Sequence, residues 1–335
     1  GPTVVLMGRI LKGRRRARLP PMEHSTFTVR AADGTPLHVN RWLPEGTPRA
    51  VVQVAHGMAE HSDRYERFAE ALTGAGFAVY AADHRGHKGT AGTHDAEGYW
   101  ADHDGWDTVV DDLAAVTAAA RGEQPGLPVV LFGHSMGSFL SRAYAAKHAG
   151  AEGDRDAIAG LVLSGTAGDP GPLGVVGTGI AGLQARLRGR RHTSGLMDKL
   201  SFGQYNAAFK PNRTAFDWLS RDPAEVDKYV ADEWCGNVFT AGFYADLLGG
   251  LRQINSDALV AQVPKDLPIL VFSGDQDPVG ANGKGPLAVA EQYRAAGVRD
   301  VELVLYPGGR HEMLNETNRD EVTADVIAWI DRVLS

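Results

Sequence analysis

The sequence predicts an α/β fold, an eight-stranded and mostly parallel sheet with helices on both faces and an inserted helical cap. Three observations carry that prediction. From residue 25 short β-branched runs alternate with longer helical ones, and three of the short runs are almost wholly apolar. Between the sixth and seventh of these runs lies a long stretch of aromatic-rich helical segments with no strand-like run. At 335 residues and 43% hydrophobic content the chain can bury a sizeable core.

The first two strands, near 25–31 and 36–43, are separated by Ala32-Asp33-Gly34, a turn signal that makes them a hairpin. Ala50–Ala55, Ala78–Ala82 and Val129–Phe132 are nearly continuous apolar runs, as central parallel strands covered on both faces require. Ser62-Asp63 caps a helical stretch through Ala75, and Trp106–Ala120 carries apolar residues at helical spacing, ended by Gly122 and Pro125. A helical run over Ser138–His148 and a sixth strand at Leu161–Ser164 follow. Residues 165–183 hold seven glycines and two prolines with no clear period, which reads as a loop or mobile lid. From about 186 to 255 the helical segments containing Phe202, Trp218, Tyr229 and Phe243 form the cap. Strands at Pro268–Ser273 and Val301–Tyr306 and a helix from about Glu321 to Val333 close the chain. The expected organisation is a basic tail over 1–22, a discontinuous core over 23–165 and 256–335, and a lid and cap over 166–255.

A net charge of −7 gives no electrostatic reason to expect nucleic acid as a partner. The single cysteine, Cys235, cannot form an intramolecular disulfide, which fits a reducing, cytoplasmic setting. No apolar run approaches the roughly 18 residues that span a bilayer, so a soluble protein is expected. In the tail the apolar stretch Val4–Met7 precedes the basic cluster Lys12, Arg14, Arg15, Arg16 and Arg18, the reverse of a signal peptide's order. That cluster reads as a solvated tail.

The strongest chemical signal is Gly133-His134-Ser135-Met136-Gly137, which follows one strand directly and opens a helix. The glycines fit a turn too tight for a Cβ, and the strained backbone lifts the serine hydroxyl clear of the sheet. Unpaired N–H groups at the helix start, beginning with that of Met136, can stabilise an oxyanion on an attacked carbonyl. A serine nucleophile needs a base, and position must choose among twelve histidines. His311 lies after the last strand and before the final helix, where a parallel sheet presents its functional edge. The acid should follow the strand ending near Gly274, where Asp275 and Asp277 both stand. Asp277 is chosen because it lies farther past the strand, where the chain can turn toward the histidine, while Asp275 is better placed to cap the turn. The second oxyanion donor is expected from the loop after the third strand, as the backbone N–H of Met58, with His56 structural.

Three motifs now fix a resemblance: His56-Gly57-Met58-Ala59-Glu60-His61-Ser62-Asp63-Arg64-Tyr65, Asp83-His84-Arg85-Gly86-His87 and Gly133-His134-Ser135-Met136-Gly137. Over most of residues 25–335 the chain resembles the monoacylglycerol lipase and lysophospholipase branch of the α/β-hydrolase fold. The resemblance implies the triad Ser135, Asp277 and His311, and oxyanion donors at Met58 and Met136. It further implies that Glu60, Arg64 and His134 hold the polar head of the substrate. A second match, Phe216-Asp217-Trp218-Leu219-Ser220-Arg221-Asp222 with Asp232 and Phe239-Thr240, resembles the cap of bacterial lysophospholipase-like members and implies a pocket roofed by helices. One departure falls at His87-Lys88-Gly89-Thr90, where the family's Asp-His-Arg-Gly-His-Gly-x-Ser ending is altered and the loop geometry comes into question.

The expected reaction is hydrolysis of a monoacylglycerol or lysophospholipid ester through an acyl-enzyme. An amidase or aminopeptidase of the same fold would need an acidic group in the cap, and Glu225, Asp227 and Asp232 keep that reading open. A non-catalytic binding protein on this scaffold would typically lack a triad member, and all three are present. No cofactor or metal is expected: Gly177-Thr178-Gly179-Ile180-Ala181-Gly182 lacks the strand a dinucleotide site needs, and Asn315 stands where a His311-Glu312 zinc motif needs its second histidine. Arg186, Arg188, Arg190 and Arg191 beside Leu183, Leu187 and Leu196 read as a solvated basic face, with transient contact at a membrane surface as the alternative.

Overall fold

The computed structural model describes residues 21–149 and 157–335; the basic cluster Lys12–Arg18 lies outside the described residues. Eight strands form one sheet: β1 (Glu23–Arg30), β2 (Pro36–Leu43), β3 (Ala50–Ala55), β4 (Phe77–Ala82), β5 (Val129–His134), β6 (Gly160–Ser164), β7 (Ile269–Gly274) and β8 (Val301–Tyr306). Their spatial order is β1-β2-β4-β3-β5-β6-β7-β8. β1 pairs antiparallel with β2 and β2 with β4, while every later pairing is parallel. The predicted strands lie within two residues of those observed.

Alternation along the central strands feeds two cores. On β3, Val51 and Ala55 join the layer of Leu131, Leu140 and Tyr144, while Val52 and Val54 join the opposite layer with Phe132, Leu270 and Trp329. Gln53 is fully buried among them, so its amide must be satisfied: it donates to Leu113 O (3.1 Å) and accepts from Thr117 Oγ1 (2.6 Å). Because β3 and β5 to β8 run parallel, the loops that follow them emerge at one edge of the sheet.

Two local expectations are corrected. Ser62 does not cap its helix; its hydroxyl donates to Asp83 Oδ1 (2.7 Å) and accepts from Asn40 Nδ2 (2.7 Å), tying the turn to β2 and to the loop after β4. The glycine-rich stretch is no loop: Gly171–Arg188 is a helix of 18 residues. Its five glycines disfavour a helix by roughly 1 kcal/mol each, so packing overrides propensity here. Gly174, Ala181 and Ala185 form its buried face, and it lies against the helix Ala241–Ile254. Leu173, Leu183 and Leu187 remain 82, 58 and 73% exposed. Small residues inside and large apolar ones outside invert the usual amphipathic pattern, which is why no period is legible. No helix among the described residues is long and apolar enough to cross a membrane.

The altered loop after β4 is held by its own bonds. Gly89 N–H donates to Asp83 Oδ2 (2.9 Å), Thr90 Oγ1 donates to Asp83 O (2.7 Å), and Lys88 pairs with Asp63 (2.7 Å).

Candidate active site

Ser135 stands between the end of β5 and the helix Met136–Lys147, with φ 53° and ψ −119°. A side chain rarely adopts this conformation, and it persists because its surroundings leave no alternative. Its N–H is held by Ser164 O at 2.8 Å. A Cβ on Gly133 would lie 2.4 Å from Gly137 O, and one on Gly137 would lie 2.0 Å from Ala55 O, so both positions require glycine for the helix to approach the strands. Met136 is the first residue of that helix, and its N–H has no carbonyl four residues back to bond.

His311 is buried and its Nδ1 lies 2.9 Å from Asp277 Oδ2. Asp277, fully buried, also accepts the N–H of Val279 (2.9 Å) through Oδ1. Asp275 instead accepts the N–H of Gly308 at 2.8 Å and braces the turn before the histidine. Burial works against a charged His311, but the Asp277 carboxylate, by charge and hydrogen bond, and Glu312 and Glu60 beyond it, outweigh burial and raise its pKa above the usual 6.5.

Behind Met58, His56 is buried and braces its own loop. Its Nε2 accepts the N–H of His84 (3.0 Å), so the proton sits on Nδ1 and is donated to Gly57 O (2.6 Å). Burial, then the neighbouring imidazoles of His84 and His87, hold the His56 pKa well below its ordinary value. His134 is likewise kept neutral, its pKa pushed down to about 3 by burial and by the nearby His311. Its ring centroid lies 4.7 Å from that of His311, and its Nδ1 is 3.0 Å from Ser164 Oγ.

A cavity of about 1040 Å³ opens beside these groups. Ser135, His311, Met58, Met136, Glu60 and His134 line it, whereas Arg64 does not. The Arg64 guanidinium stands behind them, donating to Glu60 Oε1 (2.9 Å) and to both oxygens of Glu312 (2.7 and 2.8 Å). Burial pushes the Glu60 carboxyl up, with Arg64 pulling against it and Glu312 adding to the rise. Burial also acts to raise Glu312, but the two-pronged contact with Arg64 outweighs it and holds that carboxyl low. From Ser135 the cavity extends along apolar walls that include Phe139, Ile180, Met197, Leu247 and Leu251, under the cap.

Two further residues of the site escape sequence reasoning. Glu312 adjoins His311, yet nothing local marks it without its distant partner Arg64. Trp218 lies in the cap motif, and its contact with His311 shows only in three dimensions. Its carbonyl accepts the N–H of His311 (3.3 Å), and its ring centroid lies 5.1 Å from the imidazole. The cap acids considered for an amine are engaged elsewhere: Glu225 with Arg67 (2.7 Å), Asp227 with Arg213 (2.7 Å) and Asp232 with His61 (2.6 Å), and none lines the cavity. Among the described residues two trios bring donor atoms within 4.8 Å of one another, His61 with Asp232 and Cys235, and Glu60 with His134 and Glu312. In the second, Arg64 already holds the carboxylates, and in the first Asp232 both bonds His61 and caps Trp234 N–H (2.9 Å).

A family model described as Hydrolase_4, serine aminopeptidase S33, matches residues 46–318. The monoacylglycerol lipase of Mycolicibacterium smegmatis is 32% identical over 315 residues, covering 92% of this chain and 96% of its own. The human monoglyceride lipase is 29% identical, covering 91% of this chain and 88% of its own. Among solved structures, a highly thermostable carboxyl esterase from Bacillus coagulans in complex with glycerol superposes with a TM-score of 0.83 at 31% identity, covering 94% of this chain and 99% of that one. The sheet order, the helices and this likeness together make the fold that of the α/β hydrolases.

Proposed function

The chain belongs to the monoglyceride lipase-like Hydrolase_4 family of α/β hydrolases, of the esterase and lipase kind, and from that premise we propose that it hydrolyses monoacylglycerols through an acyl-enzyme on Ser135. His311 takes the proton of the Ser135 hydroxyl as that oxygen attacks the ester carbonyl, and Asp277 holds the imidazole with its proton on Nδ1. The N–H groups of Met58 and Met136 receive the oxyanion. His311 then protonates the departing alcohol, and water, deprotonated by the same imidazole, clears the acyl group.

The observation that carries this reading is the cavity's mixed lining. Its apolar length under the cap suits an acyl chain, while Glu60, Glu312 and neutral His134 gather beside Ser135, where the alcohol leaves. Two acids against one arginine suit the hydroxyls of a neutral glycerol better than the phosphate of a lysophospholipid. In this reading Arg64 sets the place and ionisation of Glu60 and Glu312 without touching the substrate. Leu173, which lines the cavity and is 82% exposed, supports with the exposed Leu183 and Leu187 of the same helix a cap that meets lipid surfaces transiently.

The test sets a medium-chain 1-monoacylglycerol, its lysophosphatidylcholine counterpart and a prolyl-arylamide side by side, below and above the concentration at which the lipids aggregate. Monoacylglycerol should turn over fastest, with a further rise once it aggregates. Faster amide cleavage would move the chain to the peptidase side of its family, and a flat response to aggregation would remove the surface role of the cap.

The raised pKa of His311 gives a second expectation. The base must be neutral, so kcat/KM should fall as pH drops, with its midpoint above 6.5. Stability runs the other way: a pKa raised by folding stabilises most below the unfolded value and the contribution is lost as pH rises through the folded one. A rate profile with a midpoint at or below 6.5 would mean that burial, and not the Asp277 carboxylate, governs the imidazole.

A further inference from the structure

The cap reaches the catalytic loops through hydrogen bonds as well as by roofing the cavity. Ala59, next to the expected oxyanion donor Met58, has φ 56° though it carries a side chain, so its conformation must be imposed from outside. Both lone pairs of its carbonyl are taken by the cap: the hydroxyl of Tyr229 donates at 2.9 Å and the N–H of Gly236 at 2.9 Å. Its own N–H donates to His87 Nε2 at 3.3 Å. On the other side of Met58, the N–H of Gly57 is held by Glu60 Oε2 at 2.8 Å. One residue beyond Glu60, His61 bonds Asp232 of the cap at 2.6 Å.

The approach of the cap is built in. Gly236 has φ +76°, and a Cβ there would lie 2.8 Å from the ring of Phe216 and 3.2 Å from that of Tyr229, so glycine is required for its N–H to reach Ala59. Tyr229 is itself buried, and its ring lies 4.9 Å from the guanidinium carbon of Arg64. The Met58 N–H thus lies in a run of pinned peptides: Glu60 holds the Gly57 N–H before it, and beyond it His87 holds the Ala59 N–H and the cap the Ala59 carbonyl.

We propose that Tyr229, with Gly236 and Asp232, is a positioning element of the oxyanion hole, so that the seating of the cap sets the aim of the Met58 N–H. This rests on the hydrolase mechanism proposed above. An oxyanion donor acts over a few tenths of an ångström, and deleting one costs on the order of 10²- to 10³-fold in kcat, so misaiming one should cost a fraction of that. A cap that closes or shifts would then change the chemical step itself, besides admitting substrate.

The test is Tyr229→Phe in the full chain, assayed on p-nitrophenyl butyrate, whose acyl group is too short to need the far end of the cavity. We expect kcat to fall about tenfold, with KM within about twofold, the midpoint of the pH profile unmoved, and weaker binding of a phenylboronate that forms a tetrahedral adduct on Ser135. Unchanged kcat and boronate affinity, or a raised KM at unchanged kcat, overturns the proposal. If Tyr229→Phe does not fold, Asp232→Asn, which keeps the shape of the His61 contact without its charge, should lower kcat with the same unmoved pH midpoint, and wild-type kcat there overturns it. A wild type that cleaves no ester at all strikes the mechanism underneath instead.

Discussion

Replacing Ser135 with alanine should abolish ester hydrolysis, lowering kcat on the order of 10⁵- to 10⁶-fold while leaving the thermal midpoint unchanged. At 1.36 kcal/mol per tenfold this is roughly 7–8 kcal/mol of barrier, far more than a binding contact supplies. Stability should hold because the Ser135 side chain makes no capping bond to its helix, and alanine keeps the same Cβ at φ 53° and ψ −119°. The backbone strain of roughly 1–3 kcal/mol stays in place. Ser135→Gly separates the two effects: glycine accepts that conformation, so the variant should be as inactive as Ser135→Ala but more stable by about 1 kcal/mol. Turnover of a monoacylglycerol and thermal unfolding measured on the three proteins decide it. More than about 1% of wild-type kcat in Ser135→Ala would remove the acyl-enzyme mechanism.

What is legible in the sequence, and what is not, divides along the range of the interaction. The Ser135 turn is legible because its signal is local: glycines on either side, a strand before and a helix after. The edge at which Met58, Ser135, Asp277 and His311 meet follows from parallel strands, which put their trailing loops together. The helix Gly171–Arg188 is illegible because its glycines matter only against the helix Ala241–Ile254, which lies more than fifty residues on. The helix Lys284–Ala295 is hidden for a related reason, since it opens on Gly285 and Pro286, which read as turn signals. The segment Phe216–Asp222 is legible as a motif but not in its role. Leu219 O accepts the N–H of Glu312 (2.8 Å), Ser220 Oγ donates to Asn315 O (2.8 Å) and Arg221 pairs with Glu316 (3.0 Å), so the segment clamps the loop that carries His311. Each bond spans more than ninety residues, beyond what any local pattern encodes.

Asp277→Asn should lower kcat by about 10⁴-fold, close to 5.5 kcal/mol, with the fold intact. The side chain stays the same size in a fully buried site, and its Oδ1 keeps accepting the N–H of Val279 at 2.9 Å. That bond fixes the amide's orientation. Its NH₂ must then occupy the place of Oδ2, 2.9 Å from His311 Nδ1, and a donor there forces Nδ1 to accept. The imidazole proton moves to Nε2, the nitrogen that has to take the proton of Ser135, and the base is in the wrong tautomer. Loss of the carboxylate also removes the main influence raising the His311 pKa against burial, so the residual activity should show its midpoint at lower pH than wild type. Asp275→Asn is the counterpart. Asparagine still offers an oxygen to the N–H of Gly308, now 2.8 Å from Asp275, and kcat should stay within a few-fold of wild type with an unmoved pH profile. If the larger loss and the shifted profile fall on Asp275→Asn instead, the acid of the triad is Asp275, and the bond between His311 and Asp277 is structural.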